Sequence, residues 1–326
     1  MFLGADIGGT KTLLALGDAG GLRWQRRYDN DAHASPAAVL ACFLLDAAAA
    51  GFDSPPAATC LALAGPVALG AASASLTNRA WTVDAAALGQ TLALGKVTLI
   101  NDFAAGAAGI ATLRPEEWLT LQEGETDPRA ARLAVGPGTG LGVAAVVPQA
   151  AGPDLVLASE GGHVGFAPND DEQLGLLNFL RSRRGLAGHI GVELIVAGPG
   201  LRDCYAYCAG IEDPAATLPR SAQISERALA QTDPQCARAL DLFLAIFGAF
   251  AGDMALCFLA QGGVYLLGGI VPKVLPRLVA GPFLAAFRSK SKHGALVAKM
   301  PVRAVLAEDI ALRGALAVAS ATPASG

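Results

Sequence analysis

Two glycine-dense turns, each set between apolar runs, restrict the folds open to this 326-residue chain more than any other feature. The first is Asp6-Ile-Gly-Gly-Thr-Lys11, which follows the apolar run Phe2–Ile7 and precedes Leu13–Leu16 and Leu22–Tyr28. The second, Gly136-Pro-Gly-Thr-Gly-Leu-Gly142, lies inside Arg132–Val147 and is followed by another strand-like run, Leu155–Ala158. Short apolar or alternating runs broken by glycine turns predict antiparallel hairpins. Each hairpin is followed by helix and strand signals. Ser35 is a plausible N-cap for an alanine-rich helix over 36–50 that opens on Pro36, and strands are expected at Thr59–Ala64 and Lys96–Ile100 around a helix near Asp84–Leu92. The alternation predicts an α/β class, and its recurrence predicts two related halves facing each other across a cleft. Linkers are expected at Thr112–Pro115 and Pro301–Val302. After residue 172 the pattern turns helical, near 172–184, 191–209, 222–231 and 234–260, with one short buried strand at Val264–Leu267.

Composition excludes several classes. Hydrophobic residues reach 53% against 16% charged, which rules out a disordered chain. The mean hydropathy of +0.44 owes much to alanine, and the longest apolar stretch, Leu242–Gly252, is fenced by Asp241 and Asp253. That is short of the roughly 18 residues a membrane span needs, so a buried core helix is expected there and no membrane partner. Asp6 and Lys11 interrupt the place of a secretory signal's apolar region, so a cytoplasmic location is expected. With a net charge of −4 and no basic run beyond Arg181–Arg184, no nucleic-acid partner is expected. Six cysteines lie in apolar surroundings without a C-x-x-C pair and read as reduced core thiols. Cys204 and Cys208 share a helix face, but no third ligand is near in sequence.

The first turn has the chemistry of a phosphate clip. Gly8 and Gly9 let backbone N–H groups approach an anion, Thr10 adds a hydroxyl, and Asp6 at the strand end can hold Mg²⁺ through water. The competing reading is a hairpin whose glycines satisfy positive φ. The second turn has four glycines in seven residues, more than a hairpin requires, and could enclose a polyphosphate from the other side. Neither turn is a P-loop or a dinucleotide fingerprint. Gly268-Gly269 closes the short buried strand and either receives an adenine or ribose or merely terminates the strand. Asn101-Asp102 sits at the carboxyl end of a strand, where α/β sheets present ligands. Asp102 is a general-base candidate, and also a candidate Asx N-cap for a helix starting at Phe103. Glu160-Gly-Gly-His163 suits polyol recognition, with metal binding as the rival. Glu193, within an apolar stretch, needs a partner or ligand unless it lies on an exposed helix face.

Taken together, DIGGTK at 6–11, AGPV at 64–67, TNRAW at 77–81, INDF at 100–103, GPGTGLG at 136–142, EGGHVGFAP at 160–168, GPGL at 198–201, ISERAL at 224–229 and GGIVP at 268–272 resemble the bacterial glucokinase family over nearly the whole chain. The resemblance implies two ribonuclease-H-like domains of the actin-like ATPase fold, one spanning 1–112 plus 303–326 and the other 113–302. It implies ATP-dependent phosphorylation of glucose at the 6-hydroxyl, with Asp102 as base and Asn101, Glu160, His163 and Glu193 holding sugar hydroxyls. Phosphates would be held by Gly8, Gly9, Thr10, Lys11 and Gly138, Thr139 and Gly140, the nucleoside by Gly268 and Gly269, and Mg²⁺ near Asp6. Lys11 stands where many such glucokinases carry asparagine, a feature shared with ROK kinases, yet the ROK zinc cysteines after the histidine are missing. Two departures concern local turns and helix packing: no Gly-Asp follows GPV, and Ala307–Ser320 is poor in glycine. Alternatives are a kinase for fructose, mannose or an amino sugar, a polyphosphate donor, or a sugar-sensing regulator. DNA-binding relatives carry a helix-turn-helix in front of the first turn, which is not expected here, and both Asp6 and Asp102 are retained. The apolar helix near 242–260 is expected to support a homodimer.

Overall fold

The computed structural model describes residues 1–18 and 20–322. They form two compact units, one of Met1–Pro115 with Gln149–Ala158 and Ala307 onward, the other of Glu116–Pro148 and Ser159–Leu306. The last four residues of the segment expected to join the first domain, 323–326, lie outside the described residues.

In the first unit the strands are β1 (Phe2–Ile7), β2 (Lys11–Asp18), β3 (Gly21–Asp29), β4 (Ala58–Leu63), β5 (Ser73–Ser75), β6 (Thr82–Asp84) and β7 (Lys96–Asn101). The main sheet runs β3-β2-β1-β4-β7 and β5 pairs with β6. The expected hairpins form: β2 is antiparallel to β1 and to β3. β4 is parallel to both β1 and β7. The two faces of this sheet differ in size of side chain, as a period of two allows. Leu3, Ile7, Leu61 and Leu63 enter a core with Val39, Leu40 and Phe43 of the helix Pro36–Ala49. On the other face Cys60 and Ala62 meet Ala315 and Ala319 of the helix Ile310–Ala321. There Gly4 lies so close to that helix that a Cβ would stand 2.7 Å from the Leu316 nitrogen.

The second sheet consists of β8 (Trp118–Gln122), β9 (Arg132–Pro137), β10 (Leu141–Val147), β11 (Leu155–Ser159), β12 (Gly263–Leu266) and β13 (Val302–Val305), ordered β11-β10-β9-β12-β13-β8. β9 and β10 are antiparallel, while β12 runs parallel to β9 and β13. The order of a hairpin strand, its partner, then two parallel strands thus repeats that of the first sheet. Two expectations are corrected. Pro301–Val302 is not a linker, because Val302 begins the buried strand β13. The helix expected over 191–209 is a 3₁₀ turn, Val192–Leu194, and a separate helix, Gly198–Cys208. Pro199 suits only the start of a helix, and Gly200 packs its Cα against the Ile195 carbonyl, where a Cβ would not fit.

The helix Pro234–Phe258 is long and apolar enough to cross a membrane, and 67% of its apolar window is buried inside the fold. Its length comes from core packing: Phe247 meets Phe283 with ring centroids 5.1 Å apart, and Gly248 and Gly252 face the Phe283 and Phe287 carbonyls. The apolar stretch expected to support a dimer is therefore largely used within its own unit.

Candidate active site

Register fixes the first half of the candidate site. Ile7 pairs with Leu63 and Leu63 with Asn101, so β1, β4 and β7 end together at one edge of the sheet. Asp6 and Asp102 therefore lie on the same edge, two strand spacings apart, or about 10 Å of sheet. Burial and then the Asp102 charge push the Asp6 carboxyl up to about 6, with Lys11 pulling the other way. Burial likewise raises Asp102, opposed by the Phe103 backbone N–H. Two half-buried carboxylates at the same strand ends are a hard-oxygen donor set, and such a set fits Mg²⁺.

The turn between β1 and β2 is braced from behind. Gly8 donates its N–H to the Lys11 carbonyl at 3.0 Å. The Gly8 carbonyl accepts from Asn30 Nδ2 at 2.8 Å, the Gly9 carbonyl from Arg79 Nη1 at 3.1 Å, and the Thr10 carbonyl from the Asn30 N–H at 2.9 Å. Asn30 is buried and accepts from Thr12 Oγ1 at 2.7 Å. With its carbonyls engaged, the turn has the Gly9 and Thr10 amides left to face a ligand, the arrangement an anion requires. Gly8 and Gly9 do not enter the left-handed region, so the reading of them as positive-φ hairpin glycines is corrected. Lys11 and Thr10 are exposed at the same turn.

Asn101, not Asp102, is the N-cap of the helix Asp102–Gly109: its Oδ1 accepts from Phe103 and Ala104 N–H at 2.9 and 3.2 Å. That corrects the capping alternative for Asp102, whose Oδ1 also accepts from Phe103 N–H at 2.8 Å. Asn101 Nδ2 donates to the Gly65 carbonyl at 2.9 Å, and the Asn101 side chain also hydrogen-bonds the Asp102 carboxylate, which opposes the upward push of burial on it.

The second unit brings Glu160, His163 and Glu193 together. His163 Nε2 is 3.7 Å from Glu160 Oε2, and His163 Nδ1 is 3.9 Å from Glu193 Oε1. Glu193 is not on an exposed helix face: it sits in the 3₁₀ turn and accepts from the Leu141 N–H at 2.8 Å. It thereby reaches the glycine turn that carries Gly138, Thr139 and Gly140. Several of the glycines there and at the end of β12 answer to packing. Gly136 abuts the Leu267 carbonyl, a Cβ on Gly140 would lie 2.5 Å from the Glu193 carboxylate, and one on Gly268, at φ +94°, would lie 2.5 Å from the Pro137 carbonyl. Gly138 and Gly269 face open space. Strand termination therefore accounts for Gly268, and Gly269 is the member of that pair with room for a ligand.

Asn30 and Arg79 are the residues that reading for chemistry passed over. Arg79 stands within TNRAW, and its bond to Asp31 at 2.7 Å and its stacking 4.2 Å over Trp81 depend on the fold. All six cysteines are free, and among the described residues no group of three or more His, Cys, Asp or Glu could hold a metal by itself.

The glucokinase family profile matches residues 3–322. The glucokinase of Synechocystis sp. is 35% identical over 349 residues, covering 98% of each chain. The crystal structure of a glucokinase from an Antarctic psychrotroph superposes with a TM-score of 0.86 at 30% identity, covering 98% of this chain and 99% of that one. A ROK-family glucokinase from Streptomyces griseus, solved in complex with glucose and AMPPNP, shares the fold at TM-score 0.64 and 21% identity, covering 98% of both. The repeated sheet order is thus that of the actin-like sugar kinases, as the motifs imply. Sequence and fold agree along almost its full length, and the chain belongs to the glucokinase family.

Proposed function

We propose that this protein transfers the γ-phosphoryl group of ATP to the 6-hydroxyl of D-glucose, giving glucose 6-phosphate and ADP. The observation that carries the reading is the shared edge of β1 and β7. It sets a braced, amide-presenting turn beside two acidic side chains whose burial favours a cation or a proton donor as neighbour. Asp102 orients the 6-hydroxyl and accepts its proton late in transfer, because a sugar hydroxyl is too weak an acid to ionise first. The Phe103 N–H holds one oxygen of that carboxylate and so fixes its direction. Glu160, His163, Glu193 and Asn101 hold the other hydroxyls. Gly8, Gly9, Thr10 and Lys11, with Gly138, Thr139 and Gly140, hold the phosphates, and Gly268 and Gly269 receive the nucleoside.

Mg²⁺ would be held by Asp6 through water, with Asp102 nearby; when bound it neutralises phosphate charge. ATP as donor is supported by the AMPPNP-bound relative and by two glycine turns suited to a polyphosphate. The same proposal includes domains of 1–112 plus 303–326 and 113–302, a cytoplasmic location and a homodimer, the last tested by light scattering in solution. The test of function is ADP release measured across a panel of glucose, fructose, mannose and glucosamine, with the product identified by NMR. Glucose is expected to have the highest kcat/KM and to give a 6-phosphate. A higher value for another sugar would replace the substrate, and sugar-independent ADP release would overturn the reading.

A further inference from the structure

One stretch of chain, residues 189–198, is bonded on one side to the loop that carries Glu160 and His163 and on the other to the glycine turn at 138–141. Toward the loop, the Val192 N–H donates to the Val164 carbonyl at 2.9 Å, and Gly191 bridges Gly165. The Phe166 N–H donates to the Ile190 carbonyl at 2.8 Å, and His189 Nε2 lies 2.8 Å from the His163 carbonyl. Toward the turn, the Gly198 N–H donates to the Gly138 carbonyl at 3.0 Å, and the Leu141 N–H donates to Glu193 Oε2 at 2.8 Å. The two ends of the turn are thus held by two points of one short segment. Glu193 is the only side chain in this set of turn bonds. Its Oε2 is occupied by the turn, while its Oε1 faces His163 at 3.9 Å.

We propose that Glu193 is a positioning residue that couples sugar occupancy to the geometry of the phosphate-holding turn, so that each ligand strengthens binding of the other. The inference rests on the functional reading above, which assigns the loop to sugar and the turn to phosphate. A carboxylate shared between a hydroxyl-facing oxygen and a turn-anchoring oxygen cannot rotate to serve one without moving the other. A sugar that fixes Oε1 therefore fixes Oε2 and, through it, the Leu141 amide. Linkage makes the effect reciprocal: whatever displaces Glu193 from the turn side weakens the sugar.

This reciprocity has an unusual consequence at Gly140. A methyl group there would come within 2.5 Å of Glu193 Oε2, while its backbone, outside the left-handed region, tolerates alanine. Gly140→Ala should therefore weaken glucose although it lies in the phosphate turn. Gly138→Ala, where a methyl group meets nothing within 4 Å, is the matched comparison.

The test is calorimetric titration of the full-length protein with glucose, with and without AMPPNP and Mg²⁺, for wild type, Gly140→Ala, Gly138→Ala, Glu193→Ala and the double variant Gly140→Ala/Glu193→Ala. In wild type AMPPNP should tighten glucose about fivefold or more, the range of ordinary site-to-site coupling. Without nucleotide, Gly140→Ala should weaken glucose about fivefold or more and Gly138→Ala less than about twofold. In the Glu193→Ala background Gly140→Ala should add less than about twofold, since contacting residues are non-additive. Glu193→Gln, whose amide oxygen can still accept from Leu141, should recover part of the coupling that Glu193→Ala loses. Circular dichroism confirms that each variant is folded, and an unfolded Gly140→Ala leaves the test to the comparison of Glu193→Ala with Glu193→Gln. Unchanged glucose affinity in folded Gly140→Ala, an equal loss with and without Glu193, or full coupling in Glu193→Ala would overturn the proposal. A wild type that couples no ligands but binds and phosphorylates glucose would overturn this inference alone, whereas one that binds no glucose would overturn the functional reading with it.

Discussion

Asp6 carries a charge that the fold by itself does not favour. Its folded pKa of about 6 lies above the ordinary 3.8, so the native state holds the proton more tightly than the unfolded chain does. The stability this provides is complete below about pH 3.8 and is lost as pH rises through about 6. Asp6→Asn is expected to be more stable than wild type at pH 7 by about 2 kcal/mol, with the difference shrinking toward pH 4, as urea unfolding at the two pH values would show. The same variant should lose about tenfold or more in turnover if Asp6 helps to hold Mg²⁺. Wild-type turnover should fall as pH drops through about 6, because ionised carboxylates are needed and Asp6 is the group pushed up to that value. Arg79 gives a second prediction at this scale. One guanidinium donates to the Gly9 carbonyl and, at 2.7 Å, to the Asn30 carbonyl, which an ammonium on a flexible stem would not reproduce. Steady-state kinetics on Arg79→Lys should show KM for ATP raised about tenfold and KM for glucose changed less than about threefold, as expected if one bracing charge-assisted bond is lost from the turn. Asp6, Gly8 and Gly9 could be read from the sequence because strand, turn and acid are contiguous. Arg79 and Asn30 could not, since bracing the turn depends on pairs of residues about 20 to 70 positions apart that only the folded sheet brings together.

The helices Asp102–Gly109 and Ile310–Ala321 cross where neither has a side chain to spare. Gly314 faces the Ala105 carbonyl and Gly109 faces the Ile310 carbonyl, each with no room for a Cβ. The helix that begins at Asp102 is thus seated by a helix from the other end of the sequence. Gly314→Ala should destabilise the protein by about 1–3 kcal/mol through overpacking, measured by urea unfolding followed by circular dichroism. It should also lower kcat, because the displaced helix carries Asp102 at its first position. Elements defined by local pattern are legible: both hairpins, the capped helix at Pro36, and β7, expected at Lys96–Ile100 and extending one residue further to Asn101. The scarcity of glycine at the C-terminal end was legible too, but not that Gly314 is the residue on which the crossing depends. Where local pattern and tertiary packing compete, packing decided the outcome. The apolar run through Glu193 looked like continuous helix, yet Gly198-Pro199-Gly200 broke it and turned Glu193 toward the Leu141 amide.

At the scale of the molecule, the chain repeats one sheet plan in two units, each with a hydrophobic core of its own. The first unit holds the acidic strand ends and the braced turn, and the second holds the Glu160, His163 and Glu193 cluster and the second glycine turn. The family assignment explains why so many short motifs recur in order along the chain, several of them at turns and strand ends. The central assignment is that Asp102 accepts the proton of the sugar hydroxyl. It is tested most directly by following glucose-dependent ADP release in wild type and Asp102→Asn while measuring glucose binding to both by calorimetry. The account predicts turnover reduced by about 10²–10⁴-fold in the variant with glucose affinity changed by no more than about tenfold. Equal turnover in the two proteins would contradict it.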